Sequence, residues 1–265
     1  MKITISIAQL TVNQSNFQKN VDKLLYLIET LHPDKSRLLL LPELWSTGFT
    51  PLLDEAADFN ESLILNLNQL AQEKDLIIAG TYITKRKEFG FANRLIVQSP
   101  HRDLQVNYDK IHLIASMREK EWFFPGNTIR MVNLLDIPFG LAICYDLRFP
   151  ELFRRMSNNG AMVFLLPSQW PKKRISHFQK LIPARAIENQ AVFVSANVVG
   201  NIGNTMFGGQ SMVADQYGEL ILNLGEGEDK IESVEIDSTD IQNWRDEFPV
   251  LTDRQDVEDF PLLFN

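Results

Sequence analysis

The amino-acid sequence predicts a single α/β domain built on a mixed sheet or on two sheets. Two observations carry that expectation. Segments of period-two or continuous apolarity alternate with segments of helical period, and both strand–helix–strand and hairpin-like connections join them. No low-complexity block, long charge run or short repeat marks a linker, so residues 1–265 are read as one unit, long enough to bury a sizeable core.

Each element follows from its own pattern. Residues 2–9 place Ile3, Ile5 and Ile7 on one face, as a half-buried strand does. Over residues 15–31 the apolar positions Phe17, Val21, Leu24, Leu25, Ile28 and Leu31 recur every three or four residues, which predicts an amphipathic helix. Residues 38–41 are four consecutive leucines ended by Pro42, a short buried strand that completes a βαβ unit and leaves Glu43 just past its end. A helix over 63–71 and strands over 76–83, 94–98 and 104–107 follow, with Lys110 close behind the last. An apolar strand over 139–143 runs into Cys144, and a helix is predicted over 148–156. Residues 161–166 read as a strand stopped by Pro167, residues 175–189 as a helix and 191–196 as a strand. Strands over 211–214, 220–224 and 230–236 come next, with a turn at 216–219, then a helix over 239–247 before Pro249. The tail from about 238 to 265 is expected to pack on the domain or on a partner copy.

Composition removes several function classes. A net charge of -8 argues against a nonspecific grip on nucleic acid or on an anionic membrane. No apolar run approaches the ~20 residues that span a bilayer. Residues 1–13 lack the apolar stretch of a signal peptide, so a cytoplasmic location is expected. The single cysteine has no partner for an internal disulfide and is either an inert core thiol or a reactive one. His32, His101, His112 and His177 show no paired ligand spacing, so neither a metal nor another cofactor is expected. His112 reads as a hydrogen-bonding residue beside the lysine. Residues 200–209 are glycine-rich but lack a phosphate-binding signature and read as a flexible loop.

Three segments carry chemistry: Leu40-Leu41-Pro42-Glu43, Tyr108-Asp109-Lys110-Ile111-His112-Leu113, and Ile143-Cys144-Tyr145-Asp146-Leu147-Arg148-Phe149-Pro150. Each puts a reactive side chain at a strand exit, the edge where α/β sheets bind ligands. Taken singly, the three are an inert thiol, a turn acid and a solvated lysine. Together they match what amide cleavage requires. A thiol of pKa ~8.5 needs a base beside it, which Glu43 supplies. The carbonyl oxygen that becomes negative needs fixed donors, here Lys110 and the Tyr145 N–H. The strand–Cys–helix passage is similar to a nucleophile elbow.

These blocks closely resemble the signatures of the nitrilase superfamily of carbon–nitrogen hydrolases, which use a Glu–Lys–Cys triad. The resemblance runs from the Ile5-Ala8-Gln9 start to the Asp215-Gly218-Glu219 turn. Cys144-Tyr145-Asp146-Leu147-Arg148-Phe149-Pro150, with Ala184-Arg185-Ala186-Ile187-Glu188-Asn189-Gln190 and Gln169-Trp170-Pro171, looks like the omega-amidase branch. The resemblance implies a four-layer α-β-β-α sandwich, a homodimer, and a small amide as substrate. It implies catalysis by Glu43, Lys110 and Cys144 on the terminal amide of a 2-oxoglutaramate-like acid, giving acid and ammonia through a Cys thioester. Hydrolysis of an N-carbamoyl amine, deaminated glutathione or a nitrile would use the same triad, and a non-catalytic binding protein on this fold is a further alternative. The resemblance further implies a second glutamate seven residues before the glycine of a Pro-Gly pair. With Pro125-Gly126 as the frame this is Glu119, with Glu121 two residues away, and it is expected to position Lys110 or the hydrolytic water. Trp170 is a candidate substrate contact. Arg148 either binds a substrate carboxylate or braces the elbow through a buried ion pair, and Lys172, Lys173 and Arg174 read as solvated. Where the family often has Asn-Trp-Pro, this chain has Gln169.

Overall fold

The computed structural model describes residues 1–31, 37–87, 90–100 and 105–255, and there the alternation of patterns becomes two six-stranded sheets. The first half of the chain supplies β1 (Lys2–Gln9), α1 (Phe17–Glu29), β2 (Leu38–Leu40), α2 (Leu53–Glu73), β3 (Ile77–Lys85), β4 (Phe91–Gln98) and β5 (Gln105–Asp109). A four-residue helix α3 (Glu119–Trp122) leads to β6 (Met131–Leu134), β7 (Ile137–Leu141), α4 (Pro150–Ser157), β8 (Val163–Ser168), α5 (Ile175–Asn189) and β9 (Val192–Asn197). The hairpin β10 (Val199–Ile202) and β11 (Thr205–Gly208) precedes β12 (Met212–Ala214), β13 (Leu220–Asn223), β14 (Lys230–Asp237), α6 (Ser238–Glu247) and α7 (Val250–Asp253).

One plan is used twice. In the sheet β14-β1-β2-β3-β4-β5, the parallel strands β1, β2 and β3 are joined by α1 and α2, and antiparallel strands flank them. In β13-β12-β9-β8-β7-β6, the parallel strands β7, β8 and β9 are joined by α4 and α5, again with antiparallel flanks.

Side-chain alternation sets the layers. Ile3, Ile5, Ile7, Leu38, Leu40, Ile77 and Ala79 enter the core shared with the second sheet, while Leu39, Leu41 and Ile78 turn to Val21, Leu24, Leu63 and Leu67 of the helices. On the far side Phe153 of α4 packs against Phe164 and Phe193, with ring centres 5.4 and 5.3 Å away. The result is an α-β-β-α sandwich.

Several boundaries differ from expectation. Helix α2 starts at Leu53 rather than near 63, because its inner face includes Asn60, a polar residue that breaks the apolar stripe yet is buried and bonded to Ser46 and the Ile83 carbonyl. The four residues of β6 are too short to show a period and were not anticipated. The helix expected over 148–156 is a 3-10 turn at Cys144–Arg148 followed by α4, which Pro150 starts at its first turn. The glycine-rich stretch is not a loop but the hairpin β10–β11. In the tail, Ile241 of α6 is buried and Arg245 donates to the carbonyls of Ala161, Asn189 and Gln190. His32, His101 and the tail beyond 255 lie outside the described residues. No helix among the described residues is long and apolar enough to cross a membrane.

Candidate active site

Glu43, Lys110 and Cys144 come from three strand exits that the topology places on one edge. Glu43 follows β2, and Lys110 follows β5, which regains the direction of β2 after two antiparallel reversals. Cys144 follows β7 in the opposite sheet. The cross-sheet join is direct, since the Glu43 N–H donates to the Ser168 carbonyl at 3.3 Å and Gln169 Nε2 donates to the Glu43 carbonyl at 2.5 Å.

The charged groups are sealed and mutually satisfied. Lys110 Nζ lies 2.7 Å from Glu43 Oε1 and 2.7 Å from Glu119 Oε1, and all three side chains are fully buried. Asn93 Nδ2 donates to the same Glu43 oxygen at 2.8 Å, while the buried Glu43 Oε2 has no hydrogen-bond partner among the described residues. Glu119 Oε2 accepts the Ile114 N–H at 2.7 Å, which anchors that acid to the loop over the site. Burial works against the Lys110 charge, but the Glu119 and Glu43 carboxylates more than offset it and hold the ammonium above its ordinary pKa. Burial pushes Glu119 up, with Glu43 adding to the rise and Lys110 opposing it.

Cys144 is held in an unusual backbone state. Its φ is +46°, in the left-handed region that residues with a Cβ rarely occupy, on a 3-10 turn at the exit of a buried strand. Asp146 fixes that turn, accepting the Ile143 N–H at 2.9 Å and the Tyr108 hydroxyl at 2.7 Å on one oxygen. Its other oxygen meets His112 Nδ1 at 2.7 Å and the His112 N–H at 3.1 Å, and the His112 ring stacks on Phe149. His112 is thus a structural partner, as its position beside the lysine suggested. Burial raises the Cys144 thiol well above its ordinary pKa, the Glu43 carboxylate adds to the rise, and Lys110 and the Gln169 backbone oppose it.

A cavity of about 270 Å³ opens beside the cysteine, lined by Cys144, Tyr145, Arg148, Gln169, Trp170 and Arg174 among others. Glu43 and Lys110 are not in its wall. Larger hollows, of about 480 Å³ against α1 and α2 and about 590 Å³ near His112 and Phe149, contain none of Glu43, Lys110 and Cys144.

Among the described residues Arg148 forms no ion pair, in contrast to the buried pair considered from the sequence. It is half-buried, its guanidinium sits 4.6 Å from the Trp170 ring centre, and Nη2 lies 3.3 Å from His177 Nδ1. Arg174 lines the cavity instead of being purely solvated, whereas Lys172 pairs with Glu226 at 2.7 Å. Sequence reasoning missed Asn93, whose only signal is a polar interruption in an apolar strand. It also missed the bond from Gln169 to Glu43, which has no sequence signal. Among the described residues no group of three or more His, Cys, Asp or Glu side chains could hold a metal ion.

The sequence and the fold are both similar to those of known proteins. The family model described as carbon-nitrogen hydrolase matches residues 4–246. The 2-oxoglutaramate amidase of Bacillus subtilis (strain 168) is 32% identical over 262 residues, which is 97% of this chain and 100% of that protein. Omega-amidase YafV of Escherichia coli (strain K12) is 29% identical over 226 residues, 85% of this chain and 86% of its own. Among solved structures, XC1258 from Xanthomonas campestris, a CN-hydrolase superfamily protein with an arsenic adduct in the active site, superposes with a TM-score of 0.89 at 26% identity. That match covers 97% of this chain and 98% of the other.

Proposed function

This chain belongs to the carbon-nitrogen hydrolase family, and from that premise we propose that it is a thiol amidohydrolase cleaving the terminal amide of a 2-oxoglutaramate-like acid. The observation that carries the reading is the buried Glu43–Lys110–Glu119 cluster behind a strained cysteine that faces a cavity.

The residues divide the work. Glu43 Oε2 takes the thiol proton as Cys144 Sγ attacks the amide carbon, its other oxygen being committed to Lys110 and Asn93. Coupling proton loss to attack matters because the thiol pKa is raised at rest. Lys110 carries three N–H donors, of which Glu43 and Glu119 occupy two; the third, which has no hydrogen-bond partner among the described residues, serves the oxygen that becomes negative. The Tyr145 N–H is the second donor. Glu43 then returns the proton to the nitrogen, the C–N bond breaks and ammonia leaves. In the second half Glu43 deprotonates a water that attacks the thioester, the C–S bond breaks and the thiol regains its proton. Glu119 keeps Lys110 aimed and charged throughout.

The acid end of the substrate is assigned to Arg148 and Trp170, which lie against each other in the cavity wall. The names of the relatives supply the 2-oxo-dicarboxylic monoamide class. The enzyme is further proposed to act as a homodimer in the cytoplasm, a setting that suits a lone reactive thiol. Ammonia release from 2-oxoglutaramate, with a matching acyl adduct on Cys144 by mass spectrometry, tests the proposal. Turnover of an N-carbamoyl amine, deaminated glutathione or a nitrile in its place would reassign the substrate. Undiminished turnover by Cys144→Ala would end the account.

A further inference from the structure

The cavity beside Cys144 carries an uncompensated charge. Arg148 and Arg174 both line it, none of its lining residues is acidic, and neither guanidinium meets a carboxylate among the described residues. The contrast with Lys172 is informative: two residues from Arg174, it is neutralised by Glu226. Arg148 and Arg174 are half-buried, in a chain whose net charge is -8 and which has acids to spare for pairing. Two partly desolvated cations facing one small space favour an anion within it.

Arg148 is also held in place. Its guanidinium lies over the Trp170 ring at 4.6 Å and the Tyr145 ring at 5.9 Å. Nη2 approaches His177 Nδ1 of α5 at 3.3 Å. A guanidinium only donates, so Nδ1 is the acceptor in this contact.

We infer that this cavity is a two-guanidinium carboxylate subsite, in which Arg174 binds the substrate's anionic group together with Arg148, and His177 is the positioning residue that holds Arg148 across Trp170. The inference rests on the cavity being the substrate pocket, and it adds Arg174 and His177 to the recognition of the acid end already assigned to Arg148. Each guanidinium presents a fork of donors to a carboxylate that has four lone-pair sites, so the two cations do not compete for the same oxygen face.

The test compares wild type with Arg174→Gln, His177→Phe and His177→Asn on succinamate and on butyramide, an uncharged amide of similar length. It also measures how much succinate protects Cys144 from iodoacetamide, a readout that needs no turnover. Arg174→Gln and His177→Phe should raise KM for succinamate roughly tenfold, the scale of a lost hydrogen bond to a charged group. KM for butyramide and both kcat values should stay within about twofold. His177→Asn, which keeps an acceptor near the Nδ1 position, should remain close to wild type. The succinate concentration needed for protection should rise by the same factor as KM. Equal losses on both amides, no loss on succinamate, or protection unaffected by Arg174 would overturn the subsite. Should the wild type hydrolyse neither these amides nor 2-oxoglutaramate while succinate still protects through Arg174, the amidase reading fails and the subsite stands. Absence of protection in the wild type would remove the subsite whatever the enzyme turns over.

Discussion

The Tyr108 hydroxyl donates to Asp146 Oδ2 at 2.7 Å, joining the end of a strand in one sheet to the turn that carries Cys144 in the other. Lys110 stands two residues beyond Tyr108, and Cys144 two residues before Asp146. The bond therefore sets how the ammonium and the thiol meet. Burial and the Asp146 charge hold the Tyr108 phenol well above its ordinary pKa, so it remains a donor across the working range. Tyr108→Phe removes this tie and leaves a buried carboxylate oxygen with one donor fewer. A stability loss of about 1–3 kcal/mol is expected, with kcat falling more than KM rises. Urea unfolding beside steady-state kinetics checks it, and unchanged kcat in a destabilised protein would contradict the positioning role.

Removing the Glu43 charge should separate acidity from catalysis. Burial is the chief cause of the raised Cys144 pKa and the Glu43 carboxylate is the next. Glu43→Gln therefore lowers the thiol pKa and shifts the iodoacetamide alkylation profile to lower pH, while amide turnover is lost because no base remains. A profile that moves to higher pH would reverse the assigned sign.

Lys110→Met leaves Glu43 and Glu119 facing each other, buried and without their shared cation. Breaking a buried pair in this way costs about 3–5 kcal/mol. Activity should vanish and the melting temperature should fall by several degrees at neutral pH. The double variant Lys110→Met/Glu119→Gln should recover part of that stability and none of the activity. A melting temperature unchanged by the single variant would show that the cluster is not held as ions.

Gly126 presses on the strand end that carries the lysine. A Cβ there would overlap the Asp109 carbonyl, while its N–H donates to the Lys110 carbonyl at 2.8 Å. Gly126→Ala should cost about 1–3 kcal/mol, as overpacking does, and should lower kcat by displacing Lys110. Calorimetry with single-turnover kinetics tests both parts. A stable variant with full kcat would mean that the loop yields without moving the lysine.

Local pattern determined a good deal of this protein. The leucine run and Pro42 end a strand just before Glu43, the period-two segments mark most strands, and the Cys144 block stands out as a strand running into a turn. These features depend on neighbours along the chain, so periodicity and turn chemistry expose them without coordinates. Resemblance to a family added the layer order and Glu119.

Tertiary structure decided what has no local signature. Asn93, Glu43 and Lys110 lie on three different segments of one sheet, and Gln169 reaches the Glu43 carbonyl from the other. Whether Arg174 is solvated or faces the cavity likewise depends on how the turn before α5 sits against Tyr145 and Trp170. Those meetings are set by how two sheets pack face to face across a shared core. Packing of that kind joins residues distant in sequence, and no periodicity along the chain encodes which side chains will share the buried space between them.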